Sequence, residues 1–514
     1  VFIVIDALAS RVVMPALQEG RFPTLQALAE AGSLRPNCSA IFPSITPAAT
    51  ASLLTGCYPR DHGIVGQQWY DADRDIVAYF GADIEVILKR GIGSFIEDFL
   101  VQMNNQRLQA DTLYQIVERA GQQAACLNYL FFRGDVPHIV DVPLLLQVLP
   151  DVDDSYRLYG PSILRLGDFV APDSKVSEVS LRESGPLNRY GMQDRHTAQT
   201  LLQMAERRTL PAFTLAYFPD NDFASHAHGP TNALDTVAQV DHWLEELAAH
   251  YGGVDALLHE VCIVLTGDHS QTDMLPQEST PAIDLSKVLA DFAIAEAGNT
   301  WNDDEQLVVC PNMRATCIYF RQPSSERIEQ LARTLLADER VDQVIWAAAL
   351  TDNAEARGHH IVTRDRGRLL FWPGSDGEQT ATDVHGGVWS WSGDLRVVDG
   401  QLSSENTLTF PTYPNAFERL ACAPHAADGL HLWVTALPGY EFVLPRNKLH
   451  PAGSHGSLHR DDSTMPLLMA GAPSEIALPE HPRAVDVAPL CLAVLGIEAH
   501  YPVGASHLDD EYRV

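Results

Sequence analysis

None of the eight cysteines (Cys38, Cys57, Cys126, Cys262, Cys310, Cys317, Cys422, Cys491) stands in a Cys-x-x-Cys pair. That spacing argues against a zinc ribbon or a dithiol redox centre and leaves each thiol an ordinary core or surface residue. Long apolar runs are missing too. Val1–Ile5 and Val261–Leu265 are only of strand length, far short of the roughly 20 residues that a membrane-crossing helix requires. A soluble chain without a membrane span is expected, with the cytoplasm favoured. The sequence opens on Val1 inside an apparent strand, so the lack of a leader there carries no weight. Basic residues are scarce: 35 Lys+Arg face 67 Asp+Glu, a net charge of −32. This balance repels nucleic-acid phosphates and no basic stretch offsets it, which argues against coating of DNA or RNA. There is no internal repeat or low-complexity tract.

What is present is a 514-residue chain, 46% hydrophobic, long enough to bury a large core with an insertion. Strand-like runs (Val1–Ile5, Ala124–Phe132, Ala212–Phe218, Val261–Leu265) alternate with helical patterns around Leu25–Ala31, Thr197–Arg207 and Ala233–Ala249. The alternation predicts an α/β fold, a mainly parallel sheet sandwiched by helices. Such sheets place their chemistry at the carboxyl ends of strands. Asp6 closes the first run, Asp220 and Asp222 follow another, and Asp268-His269 a third. After Asp273 the texture changes to shorter strand signals (Gln306–Val309, Ala315–Phe320, Arg368–Trp372), which reads as an inserted smaller cap lobe. The expected organisation is a catalytic core over 1–280, a cap lobe over 281–424, and a closing part of the core over 425–514 with strand signals at Leu430–Leu437 and Pro466–Met469 and a final helix near Val485–Leu495.

Four short segments carry chemistry-bearing residues. Phe42-Pro43-Ser44-Ile45-Thr46-Pro47, followed by Ala and Leu up to Gly56, predicts a helix with Thr46 at its N-cap and Pro47 at its first position. Asp222 and His226 are four apart, so a helical turn puts both on one face, as one metal requires. Asp268-His269 ends a very apolar strand. His455 lies among Gly453, Ser454, Gly456 and Ser457, where backbone can approach a ligand closely. Taken singly, a capping threonine, a polar turn, a hydrogen-bonded histidine and a small-residue loop explain them. Taken together they supply three carboxylates, three imidazoles and a hydroxyl without thiolates, a donor set that suits zinc or manganese and is enough for two ions. Two divalent ions against three carboxylates leave such a pocket locally positive in an acidic protein, a trap for phosphate.

Ile5-Asp6, Phe42–Thr46 with Thr55-Gly56, Tyr58-Pro59 through His62-Gly63-Ile64, Asp222–His226 with Gly229-Pro230, Asp268-His269 and His455-Gly456, in this order, resemble the nucleotide pyrophosphatase/phosphodiesterase family of the alkaline phosphatase superfamily. The resemblance implies an alkaline-phosphatase-like core and two zinc ions, with manganese as the alternative. Asp222, His226 and His455 would hold one ion, and Asp6, Thr46, Asp268 and His269 the other. Thr46 would be the nucleophile, giving a covalent phosphothreonine during hydrolysis of a small-molecule phosphate diester or nucleotide pyrophosphate. Where relatives often carry an asparagine that grips a phosphate oxygen, this chain has Gln67, the same amide on a longer arm and the substrate-binding candidate. Trp69 and Tyr70 are candidates for the leaving-group side, and His62 for a structural bond to the loop after the nucleophile helix. His385 is the reserve for His455, with His360 and His459 ranked lower. The alternatives on the same site are a phosphonate (C–P) hydrolase, such as a phosphonoacetate hydrolase, and a phosphomonoesterase. A non-enzymatic scaffold is the reading from outside the fold's chemistry, and the metal content separates it.

Overall fold

In the computed structural model, which describes residues 1–81, 92–147, 156–172, 186–302, 304–352, 356–423, 430–445 and 447–498, the strand Phe2–Ile5 shows why both faces of its sheet are apolar. Phe2 and Val4 enter one hydrophobic core while Ile3 and Ile5 enter another, the period of two that a strand imposes. Seven strands form this sheet, in the order Ser33–Ser39, Thr464–Ala470, Ile263–Thr266, Phe2–Ile5, Phe213–Phe218, Ala124–Leu127 and Ile163–Arg165. The last five in that order pair in parallel. Thr464–Ala470 runs antiparallel to both of its neighbours. The sheet is thus mainly parallel, as expected.

Helices cover both faces. Ser10–Gln18, Pro23–Ala31, Asp194–Glu206 and Leu234–Tyr251 send Val13, Leu25, Leu201 and Val237 into one core. Thr46–Thr55, Leu113–Arg119 and Val487–Val494 send Leu53, Val117 and Leu492 into the other. A second sheet of ten strands begins at Leu307–Asn312 and Ala315–Phe320. One of its faces joins that second core through Val308, Cys317, Phe371 and Trp389. Its opposite face packs Val309, Ile318 and Val344 against Ile328, Leu331 and Leu335 of the helix Ser325–Ala337. The strand His431–Ala436 lies between Ala315–Phe320 and Val341–Ala347, so the chain crosses the second sheet once more before Thr464–Ala470 completes the first.

Two strands of the seven-stranded sheet are absent from the sequence reading, and they are its two edges. Ser33–Ser39 contains Pro36, which falls where its pairing shifts register between Arg35 and Cys38, the edge position that tolerates proline. Ile163–Arg165 has only three residues. Another run is shorter than its apolar length suggests: the strand from Ala124 stops at Leu127 because Asn128 turns to φ 62° and its side-chain oxygen accepts the Gly167 N–H at 2.8 Å. All eight cysteines are free. Among the described residues no helix is long and apolar enough to cross a membrane.

Candidate active site

Ile263–Thr266, Phe2–Ile5 and Phe213–Phe218 are consecutive in the sheet and parallel, so the segments leaving their carboxyl ends meet. Asp6 follows directly on the first strand of the chain, and Asp268-His269 lies two residues past Thr266. Asp222 and His226 come on the helix Asp220–His228 that starts just after Phe218. The helical turn expected for this pair is present, with His226 Nε2 at 3.3 Å from Asp222 Oδ1. His455 arrives from the far end of the chain through a short antiparallel pairing of Thr272 with Ser454 and Asp273 with Gly453. Gly453 is required there: a Cβ would meet the Ser225 carbonyl oxygen at 2.4 Å and Gln271 Oε1 at 2.9 Å. Gly456 combines φ +119° with a Cβ position 2.5 Å from the Asn312 carbonyl oxygen, a conformation and a clearance that only glycine accepts.

All seven side chains converge. Donor atoms of Asp222, His269 and His455 lie within 4.8 Å of one another, as do those of Asp6, Asp268 and His269. Thr46 Oγ1 is 3.0 Å from His269 Nε2, which in turn is 3.4 Å from Asp6 Oδ1 and 3.5 Å from Asp268 Oδ2. His455 Nε2 is 3.7 Å from Asp222 Oδ1. The His269 and His455 rings stack at 3.8 Å between centroids.

The surrounding hydrogen bonds aim these donors inward. Nδ1 of His226, His269 and His455 lies 2.7, 2.9 and 2.8 Å from the carbonyl oxygens of Gly453, Ser270 and Ser44. A carbonyl only accepts, so each Nδ1 carries hydrogen and each Nε2 is the nitrogen turned to the cluster. The carboxylates are treated alike. Tyr217 donates its hydroxyl to Asp6 Oδ2, and the Ala7 and His269 N–H groups donate to Asp268 Oδ1 at 3.2 and 2.9 Å. Asp6 Oδ1, Asp268 Oδ2 and His455 Nε2 are left buried without a hydrogen-bond partner. Buried polar atoms are rarely orphaned; three aimed at one space fit divalent cations bound by hard oxygen and imidazole donors.

Charge in the metal-free chain agrees with that fit. Burial, followed by the facing Asp268, raises Asp6 well above the usual carboxylate range, and burial pushes Asp268 up to about 7. Burial acts to raise Asp222 as well, but the adjacent His226 outweighs it and holds Asp222 low. Burial would lower His226, yet Asp222 pushes it up to about 9. Burial, then His269, presses His455 well below the ordinary imidazole value.

Thr46 departs from expectation in one respect. The helix runs Thr46–Thr55 with Ile45 at the N-cap, so Thr46 is its first residue and Pro47 its second, and no side chain caps the end. The threonine hydroxyl is therefore not spent on the backbone. Gln67 has no hydrogen bond to any of the seven among the described residues; its Nε2 sits 2.1 Å from where a Gly81 Cβ would be, and its N–H donates to Asn312 Oδ1 at 2.6 Å. His62 does what was expected of it: its Nδ1 accepts the Ile64 N–H at 3.1 Å and its Nε2 meets Ser52 Oγ at 2.9 Å. The other histidines are engaged elsewhere, His360 with Asp352, His385 by its backbone with Asp383, and His459 at the start of Arg460–Ser463.

Several neighbours escaped the sequence reading. Tyr217 carries no signal beyond its place in an apolar strand. Asn312 comes from the second sheet and takes the Gln67 and Gln68 N–H groups. The His450 ring lies 4.0 Å from that of His226, tilted by 30°, and its Nδ1 is 2.8 Å from Glu441 Oε1.

Solved structures with this architecture include murine ectonucleotide pyrophosphatase/phosphodiesterase 5, at 14% identity and TM-score 0.55, covering 99% of this chain and 98% of that one. The human protein of the same name gives 13%, 0.53, 99% and 98%. An inactive threonine-to-alanine variant of the murine protein in complex with AMP gives 13%, 0.54, 99% and 98%. No match was found among curated proteins. Residues 1–366 match the profile of the type I phosphodiesterase / nucleotide pyrophosphatase family, which takes in six of the seven converging residues and stops short of His455. With the match running through well over half of its length, this chain belongs to the type I phosphodiesterase/nucleotide pyrophosphatase family.

Proposed function

We propose that the protein is a two-metal hydrolase of small phosphate diesters or nucleotide pyrophosphates, with Thr46 as nucleophile. Asp222, His226 and His455 would hold one zinc ion, and Asp6, Asp268 and His269 with the Thr46 oxygen the other. Manganese is the alternative ion. The observation that carries this reading is the set of orphaned buried donors, Asp6 Oδ1, Asp268 Oδ2 and His455 Nε2, beside a threonine hydroxyl that caps nothing.

Bound there, the ions would supply Lewis acidity, lowering the pKa of the attacking oxygen and offsetting charge on phosphate. The chain's own groups do the rest. Thr46 sits at the positive end of a ten-residue helix, which favours its oxyanion. Its hydroxyl proton leaves to solvent, and Oγ1 attacks phosphorus in line. A P–Oγ1 bond forms as the ester P–O bond breaks, and the leaving oxygen departs with the electron pair. Water then cleaves the phosphothreonine, restoring Thr46 and releasing a monoester. AMP bound to the murine variant supports a nucleotide-sized product.

The test compares wild type with Thr46→Ala on an activated phosphodiester, a phosphomonoester and a phosphonate, with bound metal counted. Wild type should hold about two zinc ions per chain and prefer the diester. The variant should lose on the order of 10³-fold or more in turnover while keeping most of its metal. Near-normal turnover by Thr46→Ala removes the nucleophile; activity surviving exhaustive chelation removes the metals. A phosphonate turned over faster than the diester moves the reading to a C–P hydrolase.

A further inference from the structure

Behind the metal-binding cluster lies an ion pair that ligates nothing. Asp462 and Arg314 are both 0% exposed and bonded to each other. Asp462 belongs to the turn before Thr464–Ala470, and Arg314 to the hairpin joining the first two strands of the second sheet. Burying an ion pair is a poor way to add stability, since desolvation offsets most of the attraction. Its connections suggest another use. Asp462 Oδ2 accepts the Ser457 N–H at 2.8 Å, two residues past His455. Its backbone oxygen accepts the Ser270 N–H at 2.9 Å, one residue past His269. Its Oδ1 takes the Thr272 hydroxyl as well as Arg314 Nη1. Arg314 closes the ring: its N–H donates to the His455 carbonyl at 2.9 Å, Nη1 reaches Thr272 Oγ1 at 2.8 Å, and Nη2 reaches the Ala436 carbonyl at 3.0 Å.

We infer that Asp462, held by Arg314, is a positioning residue that keeps the His269 and His455 loops at metal-binding distance and ties the second sheet to the site. The inference rests on the two-metal reading above. The Asp462 carboxylate fixes the main chain two residues past His455 and, through the Thr272 hydroxyl, the segment three residues past His269; its backbone oxygen holds the Ser270 N–H, and the arginine makes that geometry depend on the seating of the second sheet. Outer groups of this kind set metal affinity without touching the metal.

The experiment uses Asp462→Asn/Arg314→Gln, which neutralises both members so that no buried charge stands alone, and Arg314→Lys, which keeps the charge but loses the fork. Zinc affinity is measured by competition with a chelating dye, melting on the metal-free protein, and kcat and KM on an activated phosphodiester. The double variant should melt near wild type when metal-free, bind zinc about 10–100-fold more weakly, and lose kcat with little change in KM. Arg314→Lys should fall between. Wild-type zinc affinity and kcat in the double variant overturn the inference, as do losses that merely track a lowered melting temperature. If the double variant does not fold, Thr272→Val removes a single spoke, and its zinc affinity should drop several-fold at unchanged melting temperature; unchanged affinity counts against the inference. A wild type that takes up no zinc removes the two-metal reading and this one with it. Wild type and double variant binding two ions equally well remove this one alone.

Discussion

His62 is clamped between the Ser52 hydroxyl and the Ile64 N–H, and burial pushes its pKa down to about 3. In the unfolded chain the ring titrates near 6.5, so below that pH the unfolded state binds the extra proton. This group's contribution to stability is whole above about pH 6.5 and is lost as pH falls, by up to about 1.4 kcal/mol per unit. His62→Gln should be less stable than wild type at pH 7, and the gap should narrow on going to pH 4; a gap constant across urea melts would refute the assignment. At Asp6, Tyr217→Phe removes one hydroxyl from a fully buried contact. Zinc affinity should weaken about 10-fold or more, with unfolding free energy changed by only about 1 kcal/mol; a normal zinc titration would leave Tyr217 with packing alone. The metal-ligating candidates could be read from sequence because carboxylate and imidazole at apolar strand ends are chemically conspicuous. Tyr217 and Asn312 could not, because a phenol or an amide acquires its role only from what stands opposite it.

Thr46–Thr55 is buried from Pro47 to Thr55, and its Ala48, Leu53 and Leu54 lie in the core shared by the two sheets. A helix buried all round positions its first residue through packing, not through surface capping. Leu53→Ala should therefore lower unfolding free energy by about 2–5 kcal/mol and also reduce kcat by shifting Thr46, measured by denaturant melts beside initial rates. The His455 loop is the opposite case, since little apolar surface holds it. In Gly453→Ala the new methyl collides with the Ser225 carbonyl and displaces the oxygen that receives His226 Nδ1–H. Zinc affinity should fall at least 10-fold, beyond what the accompanying drop in the melting temperature of the metal-free chain accounts for. Proline, glycine and periodicity announced these elements in the sequence. The edge strands Ser33–Ser39 and Ile163–Arg165 were not announced, since one is broken by Pro36 and the other is too short to show a period.

Across the whole molecule, a net charge of −32 coexists with a site proposed to receive a phosphate anion, and that proposal places cations at its centre. Loading must expel protons, because Asp6 is raised, Asp268 is pushed up to about 7 and His226 up to about 9 in the metal-free chain. Zinc affinity should therefore climb from pH 6 to pH 8, with protons released on binding, and the rise in melting temperature on adding zinc should grow with it. Calorimetry in buffers of different ionisation enthalpy reads the release directly, and an affinity flat over that range would contradict it. The alternation of strands and helices and the mainly parallel core follow from local pattern, period two and period 3.6, and polar residues where apolar runs stop mark Asp6, Asp222, Asp268 and His269; Thr46 and His455 stand out only through the ordered motifs of the family resemblance. The convergence itself does not follow from local pattern. His455 meets Asp222, more than two hundred positions away, only through the Thr272–Ser454 pairing, and its orientation depends on Ser44, Asp462 and a turn of the second sheet. Those contacts join segments that share no periodicity, so packing of the completed fold is what turns seven scattered donors into one site.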